Sequence, residues 1–172
     1  MKTVVVLMLL CLFSETALAF KRAKVSVPVS APLTLNCIAD AAQASGLPLA
    51  ALVGILAAEG GRTGEALSNA NGTWDMGNFQ INTVHVNELA AMGIDPDLVL
   101  HDGCVNAHAA AWVLKKEYAR TGDIWKAIGA YHSRTPHRRD AYVARVKDHL
   151  IRLGKRGLTS MRSLDLQPED SR

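Results

Sequence analysis

From Thr34 to Leu153 the apolar positions recur at helical spacing, interrupted once by a stretch of turn formers. Thr34 stands where an N-cap belongs, ahead of Leu35, Ile38 and Ala42, and Gly46 ends that segment. Pro48 then opens a second helix in which Leu52, Ile55, Leu56 and Glu59 fall at i, i+3, i+4 and i+7. That spacing puts all four on one face, and Gly60 with Gly61 stops the helix. The two helices should form a tight antiparallel or angled pair. Residues 62–82 read differently. Asn69, Asn71-Gly72, Gly77 and Asn78 are turn formers, whereas Thr73, Trp74, Phe79 and Ile81 suit short extended pieces. This pattern predicts a small hairpin or an irregular loop.

Helical text returns from Thr83 to about Met92, with Gly93 as terminator, and Asp95-Pro96 opens a short further turn of helix. Asp102 caps a long helix through Val105, Ala109, Trp112, Val113 and Tyr118 that Gly122 closes. Asp123 caps another, Ile124 to Tyr131. The last helix, about His137 to Leu153, carries Tyr142, Val146, His149, Leu150 and Leu153 on one side. Arg138, Arg139, Arg145, Lys147 and Arg152 occupy the other, as a solvated face or a partner-binding one. There is no internal repeat. The expectation is a mainly α single domain, residues 34–154, with a small extended or β-hairpin insertion. An extended leader (20–33) should precede it and a polar, disordered tail (155–172) should follow.

The first residues do not read as fold. Lys2 supplies a positive start, Val4 to Phe13 form an apolar run, and Ala17-Leu18-Ala19 is a small-residue cleavage site. The pattern is that of a secretory signal peptide, residues 1–19. The run is too short to span a bilayer, so no stable membrane anchor is expected. Export would deliver the chain to the periplasm. Losing Lys2 and Glu15 together leaves the net charge at +3, which suits an anionic polymer and is too slight to argue for nucleic acid. The exported chain keeps Cys37 and Cys104, an even pair in an oxidising compartment. A disulfide is expected there, with two buried free thiols as the alternative. Closing so long a loop would stabilise by about 4 kcal/mol in the chain-entropy model. His101 and His108 near Cys104 follow no usual ligand spacing, so neither a metal nor another cofactor is implied.

Glu59 is the candidate for chemistry. Its helix face is otherwise aliphatic, so its carboxyl should be desolvated, and desolvation raises a carboxyl pKa. The negative end of the helix dipole pushes the same way. A carboxyl inclined to keep its proton near neutral pH is what a general acid needs.

Ala58-Glu59-Gly60-Gly61, then Asp75-Met76-Gly77-Asn78-Phe79-Gln80-Ile81-Asn82, then Ala130-Tyr131-His132 occur in that order. Their order and spacing resemble the lytic transglycosylases with a goose-type lysozyme-like (SLT) domain. The similarity is greatest to the specialised exported ones that accompany conjugation, type IV secretion and pilus machines. It spans about Leu35 to Leu153. The resemblance implies peptidoglycan glycan strands as substrate, components of such a machine as partners, and Glu59 as the single catalytic acid/base. Glu59 would protonate the glycosidic oxygen between N-acetylmuramic acid and N-acetylglucosamine. The same carboxylate would then take the proton of the muramoyl C6 hydroxyl, whose attack gives a 1,6-anhydro end. Gln80 matches a cleft-lining glutamine able to bond sugar or acetamido groups. Tyr131 matches a tyrosine that holds the catalytic carboxyl.

Two positions depart from that family. Gly60 stands where many members have serine, and His132 where they often have asparagine, which puts an extra titratable group near the cleft. Asn82 is a sugar contact or a turn residue. Trp74, in the loop, is the tryptophan placed to stack on a sugar ring, whereas Trp112 and Trp125 within helices read as core. Asp75 is the one candidate for a second carboxylate. In that role it would activate water and make the protein a lysozyme-like hydrolase, although beside Gly72 and Thr73 an aspartate commonly organises a turn. The remaining alternative is a non-catalytic wall-binding scaffold.

Overall fold

The computed structural model describes residues 22–165, with side chains through residue 157. The signal peptide expected at 1–19 therefore lies outside the described residues, as do residues 166–172. Helix α1 (Leu35–Ser45) begins at Thr34, whose hydroxyl accepts from the Cys37 amide at 3.2 Å, and ends at Gly46 in the left-handed conformation. Helix α2 (Leu49–Glu59) follows Pro48 and ends at Gly60, where φ is +62°. A left-handed cap at that position accounts for glycine directly after Glu59, where the resembled family often carries serine.

The polar stretch after α2 is a sheet. Strands β1 (Lys24–Ser26), β2 (Glu65–Ser68), β3 (Trp74–Met76) and β4 (Ile81–Asn82) pair antiparallel in sequence order. Val25 lies opposite Ala66, Leu67 opposite Asp75, and Met76 opposite Ile81. Residues 20–33 are thus more than a leader. Residues 24–26 supply the edge strand of the sheet, and Cα-paired register with β2 holds them in place.

A 3-10 turn (Thr83–His85), α3 (Val86–Ala91) and α4 (Pro96–His101) then lead to α5 (Gly103–Thr121). Asp102 caps α5 by accepting from the Cys104 and Val105 amides. This long helix is the axis of the domain. Ala107, Ala109, Ala110 and Ala111 are completely buried on it, and their small side chains let α1, α4 and α6 (Ile124–His132) close around it. The Cys37–Cys104 disulfide joins α1 to the start of α5 across a separation of 67 residues.

Helix α7 (Pro136–Asp165) lies against α2 and α6. At Gly54 a Cβ would come within 2.8 Å of Val146, and at Gly129 within 2.4 Å of Arg139, so glycine sets the closeness of both contacts. The sequence pattern ends this helix at Leu153 and leaves a disordered tail from 155. The structure instead continues the helix through Asp165, its residues 151–157 exposed. Loss of apolar periodicity ended the packed face there without ending the helix. Trp125, read as core, is 37% exposed with the Lys147 ammonium 4.7 Å from its ring centroid. No helix among the described residues is long and apolar enough to cross a membrane.

Two buried polar residues organise this frame. Glu117 on α5, 5% exposed, binds Arg120 at 2.9 Å and Arg134 of the α6–α7 connection at 2.6 Å. Burial pushes its carboxyl up, but the two guanidinium groups outweigh it and the net shift is downward. Asn106, fully buried on α5, accepts from the Phe79 amide at 2.9 Å. It donates to the carbonyls of Met76 at 3.1 Å and Val99 at 2.8 Å. One side chain thereby bonds three backbone groups, two at the β3–β4 turn and one in α4. Asn106→Ala removes all three bonds in a buried site and should cost about 3 kcal/mol, read as a lowered urea midpoint at unchanged m-value.

Candidate functional site

An open cleft of about 790 Å³ runs between the sheet and the helices. Its walls include Glu59 from the end of α2, Asp75, Gln80 and Asn82 from the sheet, Tyr131 and His132 from the end of α6, and Arg145 from α7. Leu52 and Ile55, on the same face of α2 as Glu59, are completely buried. Glu59 lies at the lip of that apolar face, half-buried. Its Oε1 accepts a hydrogen bond from the Tyr142 hydroxyl of α7 at 2.7 Å. Burial is the largest influence on its acidity and raises the pKa above the ordinary glutamate value of 4.5. The Tyr142 bond and the Arg145 charge oppose this, Asp75 adds to it and Arg22 subtracts, and the net shift is upward.

Tyr142 is 2% exposed. Burial and the neighbouring Glu59 charge hold its hydroxyl protonated far above the usual tyrosine range, so it can only act as the donor in this pair at any ordinary pH. The His132 ring stacks parallel on it, centroids 4.7 Å apart, and the Arg145 guanidinium lies 4.9 Å from its ring centre. Burial and the positive charges of Arg145 and Arg138 keep His132 below its ordinary value, with Asp75 opposing them. His132 is therefore a neutral, stacked imidazole near pH 7.

Tyr131 is placed differently from the expectation. Its hydroxyl donates to the Phe79 carbonyl at 2.9 Å, and Tyr142 holds Glu59 instead. Tyr131 remains close enough that burial and then the Glu59 charge raise its pKa well above the usual value. Its one hydroxyl proton is engaged by the turn that carries Gln80. That turn is tightly made. Gln80 adopts a left-handed φ of +51°, and its side-chain amide donates to the Gly77 carbonyl at 2.9 Å while lining the cleft. A Cβ at Gly61 would meet the Gly77 oxygen at 2.1 Å and the Gln80 amide nitrogen at 2.6 Å, so the glycine after Gly60 makes room for the turn beside the glutamate.

Asn82 lines the cleft with its side chain committed to the protein. It donates to Thr73 at 3.0 Å and Asp75 at 2.7 Å and accepts from the Val84 amide at 3.0 Å. Asp75 is also engaged by Arg22 at 2.7 Å, and Arg22 further donates to the Ser68 carbonyl and to Asn69. Trp74 does not face the cleft as a stacking residue would. Alternation along β3 turns its ring to the side opposite Asp75, where it is half-buried against the core. Among the described residues no group of three His, Cys, Asp or Glu gathers as a metal would require.

Sequence reasoning missed Tyr142, Asn106, Arg22 and Arg145. Tyr142 left the only usable signal. It was the one hydroxyl on an aliphatic helix face, and a buried hydroxyl needs a partner.

The family model described as the Transglycosylase SLT domain matches residues 36–148. Protein IpgF of Shigella flexneri is 32% identical over 101 residues, covering 58% of this chain and 66% of IpgF. Invasion protein IagB of Salmonella typhimurium is 35% identical over 71 residues, 41% of this chain and 44% of IagB. The X polypeptide of Escherichia coli is 36% identical over 76 residues, with 41% and 45% covered. The chain thus spans 44% to 66% of the length of the relatives it matches.

A carboxyl whose folded pKa is raised contributes stability below its unfolded value, and that contribution disappears as pH rises through the folded value. Above it, wild type carries a poorly solvated charge that a glutamine does not. Glu59→Gln should therefore be more heat-stable than wild type at pH 8, with the difference shrinking toward pH 4 in a calorimetric series.

Proposed function

As the chain belongs to the transglycosylase SLT family, we propose that it is an exported peptidoglycan lytic transglycosylase with Glu59 as its acid/base. The observation that carries this reading is the pairing of a partly desolvated carboxyl of raised pKa with an aspartate already spoken for. Glu59 and Asp75 are the carboxylates lining the cleft. Asp75 is held by Arg22 and Asn82, a poor starting point for a base that must seize a proton from water.

With one free carboxyl, both proton transfers fall to Glu59. It gives its proton to the bridging oxygen as the bond from that oxygen to the muramoyl C1 breaks. The positive charge that develops at C1 is met by the substrate's own acetamido oxygen, which is how a second protein carboxylate is dispensed with. The Glu59 carboxylate then accepts the proton of the C6 hydroxyl while O6 bonds to C1. The enzyme recovers its starting protonation, no water is consumed, and the product ends in a 1,6-anhydro ring. Tyr142 donates to Glu59 throughout, which steadies the carboxylate in the interval when it is charged. Gln80, held by its turn, offers an amide to the sugar, and Tyr131 acts through the Phe79 carbonyl by fixing that turn.

The reading extends to cellular role. Local opening of the wall for an envelope-spanning secretion, conjugation or pilus apparatus fits an exported enzyme of this family, and one relative is named an invasion protein. Periplasmic action follows from the leader expected at residues 1–19.

Mass spectrometry of isolated sacculi treated with the purified protein should find 1,6-anhydromuropeptides. Reducing ends would make water the nucleophile, and unaltered sacculi would leave a binding protein. Glu59→Gln should fold and lose about 10²–10⁴-fold of the activity.

A further inference from the structure

We infer that Arg138 and Arg145 form a carboxylate-binding subsite on the α7 wall of the cleft, which takes the acidic peptide substituent carried by the glycan strand. The inference rests on the glycan-cleaving reading above and specifies which part of the substrate this wall recognises.

The sequence pattern puts Arg138 and Arg145 on the side of α7 away from Tyr142, but 138, 142 and 145, spaced four and three apart, form one stripe, with Arg145 against the Tyr142 ring. Tyr142, the middle member, reaches Glu59, and the two arginines flanking it both line the cleft. What separates them from the arginines around them is their lack of a carboxylate partner. Arg134 is bound to Glu117 at 2.6 Å, Arg139 to Asp140 at 2.8 Å and Arg152 to Asp148 at 2.6 Å. Arg22, across the cleft, is bound to Asp75 at 2.7 Å. Among the described residues no carboxylate lies within ion-pair distance of Arg138 or Arg145. On α7 the arginines at 139 and 152, outside the cleft, are paired with aspartates, whereas Arg138 and Arg145, which line it, have no carboxylate partner, Arg145 resting on the Tyr142 ring.

Neutral sugars do not call for such a pair. A guanidinium presents a planar fork that matches a carboxylate. Seven residues of helix place the two backbone positions about 10 Å apart along the axis, the span of about three residues of extended peptide. An acidic peptide branching from the sugar beside Glu59 can therefore meet both. The two charges are close enough to bear on the cleft, since both contribute to depressing the His132 pKa.

Recognition here would also feed back on the chemistry. Arg145 favours the charged form of Glu59. A substrate carboxylate bound to Arg145 offsets that influence and leaves Glu59 more inclined to hold the proton it must donate.

The test measures binding to the full chain carrying Glu59→Gln, so that no ligand is cleaved. Isothermal titration is run with a neutral N-acetylglucosamine oligosaccharide and with a soluble glycan oligomer that bears peptide stems. The stem-bearing ligand should bind about tenfold more tightly. Adding Arg138→Gln and Arg145→Gln together should remove that preference. Arg138→Gln alone, at an exposed and unpaired position, should reduce it without a folding risk. Lys126→Gln, the same charge change away from the cleft, should leave it intact. Equal affinity for the two ligands, or a preference that survives both arginine changes, overturns the subsite while the glycan reading stands. Failure of both ligands to bind overturns both readings.

Discussion

The hydrogen bond from Tyr142 to Glu59 joins the end of α2 to the second turn of α7, between residues 83 apart in sequence. The architecture around it buries the Tyr142 side of that bond and part of the carboxyl. Gly54 lets α2 and α7 approach until Val146 lies against α2, and Leu52 and Ile55 bury the helix face that leads to the carboxyl. In water a glutamate would be ionised at neutral pH. Against these neighbours the charged form loses hydration that a single tyrosine hydroxyl and a nearby guanidinium only partly replace. Desolvation dominates, and the carboxyl is left disposed to hold a proton.

The opposite wall depends on a second constraint, the turn from Gly77 to Gln80. Asn106 grips it from below through the Phe79 amide and the Met76 carbonyl, and Tyr131 grips it from the side through the Phe79 carbonyl. Gly61 allows the turn to lie directly on the chain leaving α2. The glutamate and the glutamine are therefore placed relative to each other by glycine contacts and buried hydrogen bonds, with little left to flexible side chains. The small antiparallel sheet carries this wall, and α5, lined with alanine, supports it from behind. A mainly helical domain with such a sheet is the lysozyme-like architecture of the SLT family.

The helices were legible because capping and periodicity are local. Thr34, Asp95, Asp102 and Asp123 each cap the helix they precede. The face bearing Glu59 also followed from spacing alone. What was not legible depends on contacts between distant segments. Tyr131 and Tyr142 are both aromatic residues on amphipathic helices, and nothing local says which of the two reaches the glutamate. Residues 24–26 look like a polar leader until β2 is there to pair with them. Trp74 looks like a loop aromatic until strand alternation turns it to the core. The end of α7 was misread for the opposite reason. Its helix outlasts its packed face, and apolar periodicity reports only the latter.

The central claim is that partial burial of Glu59 at the lip of its apolar helix face raises its pKa. The most direct measurement is a carbon-13 NMR titration of the glutamate side-chain carboxyls in the full chain. The account predicts that Glu59 titrates above 4.5 and above the exposed glutamates of the same protein. A Glu59 carboxyl that titrates with them, or below them, would contradict it.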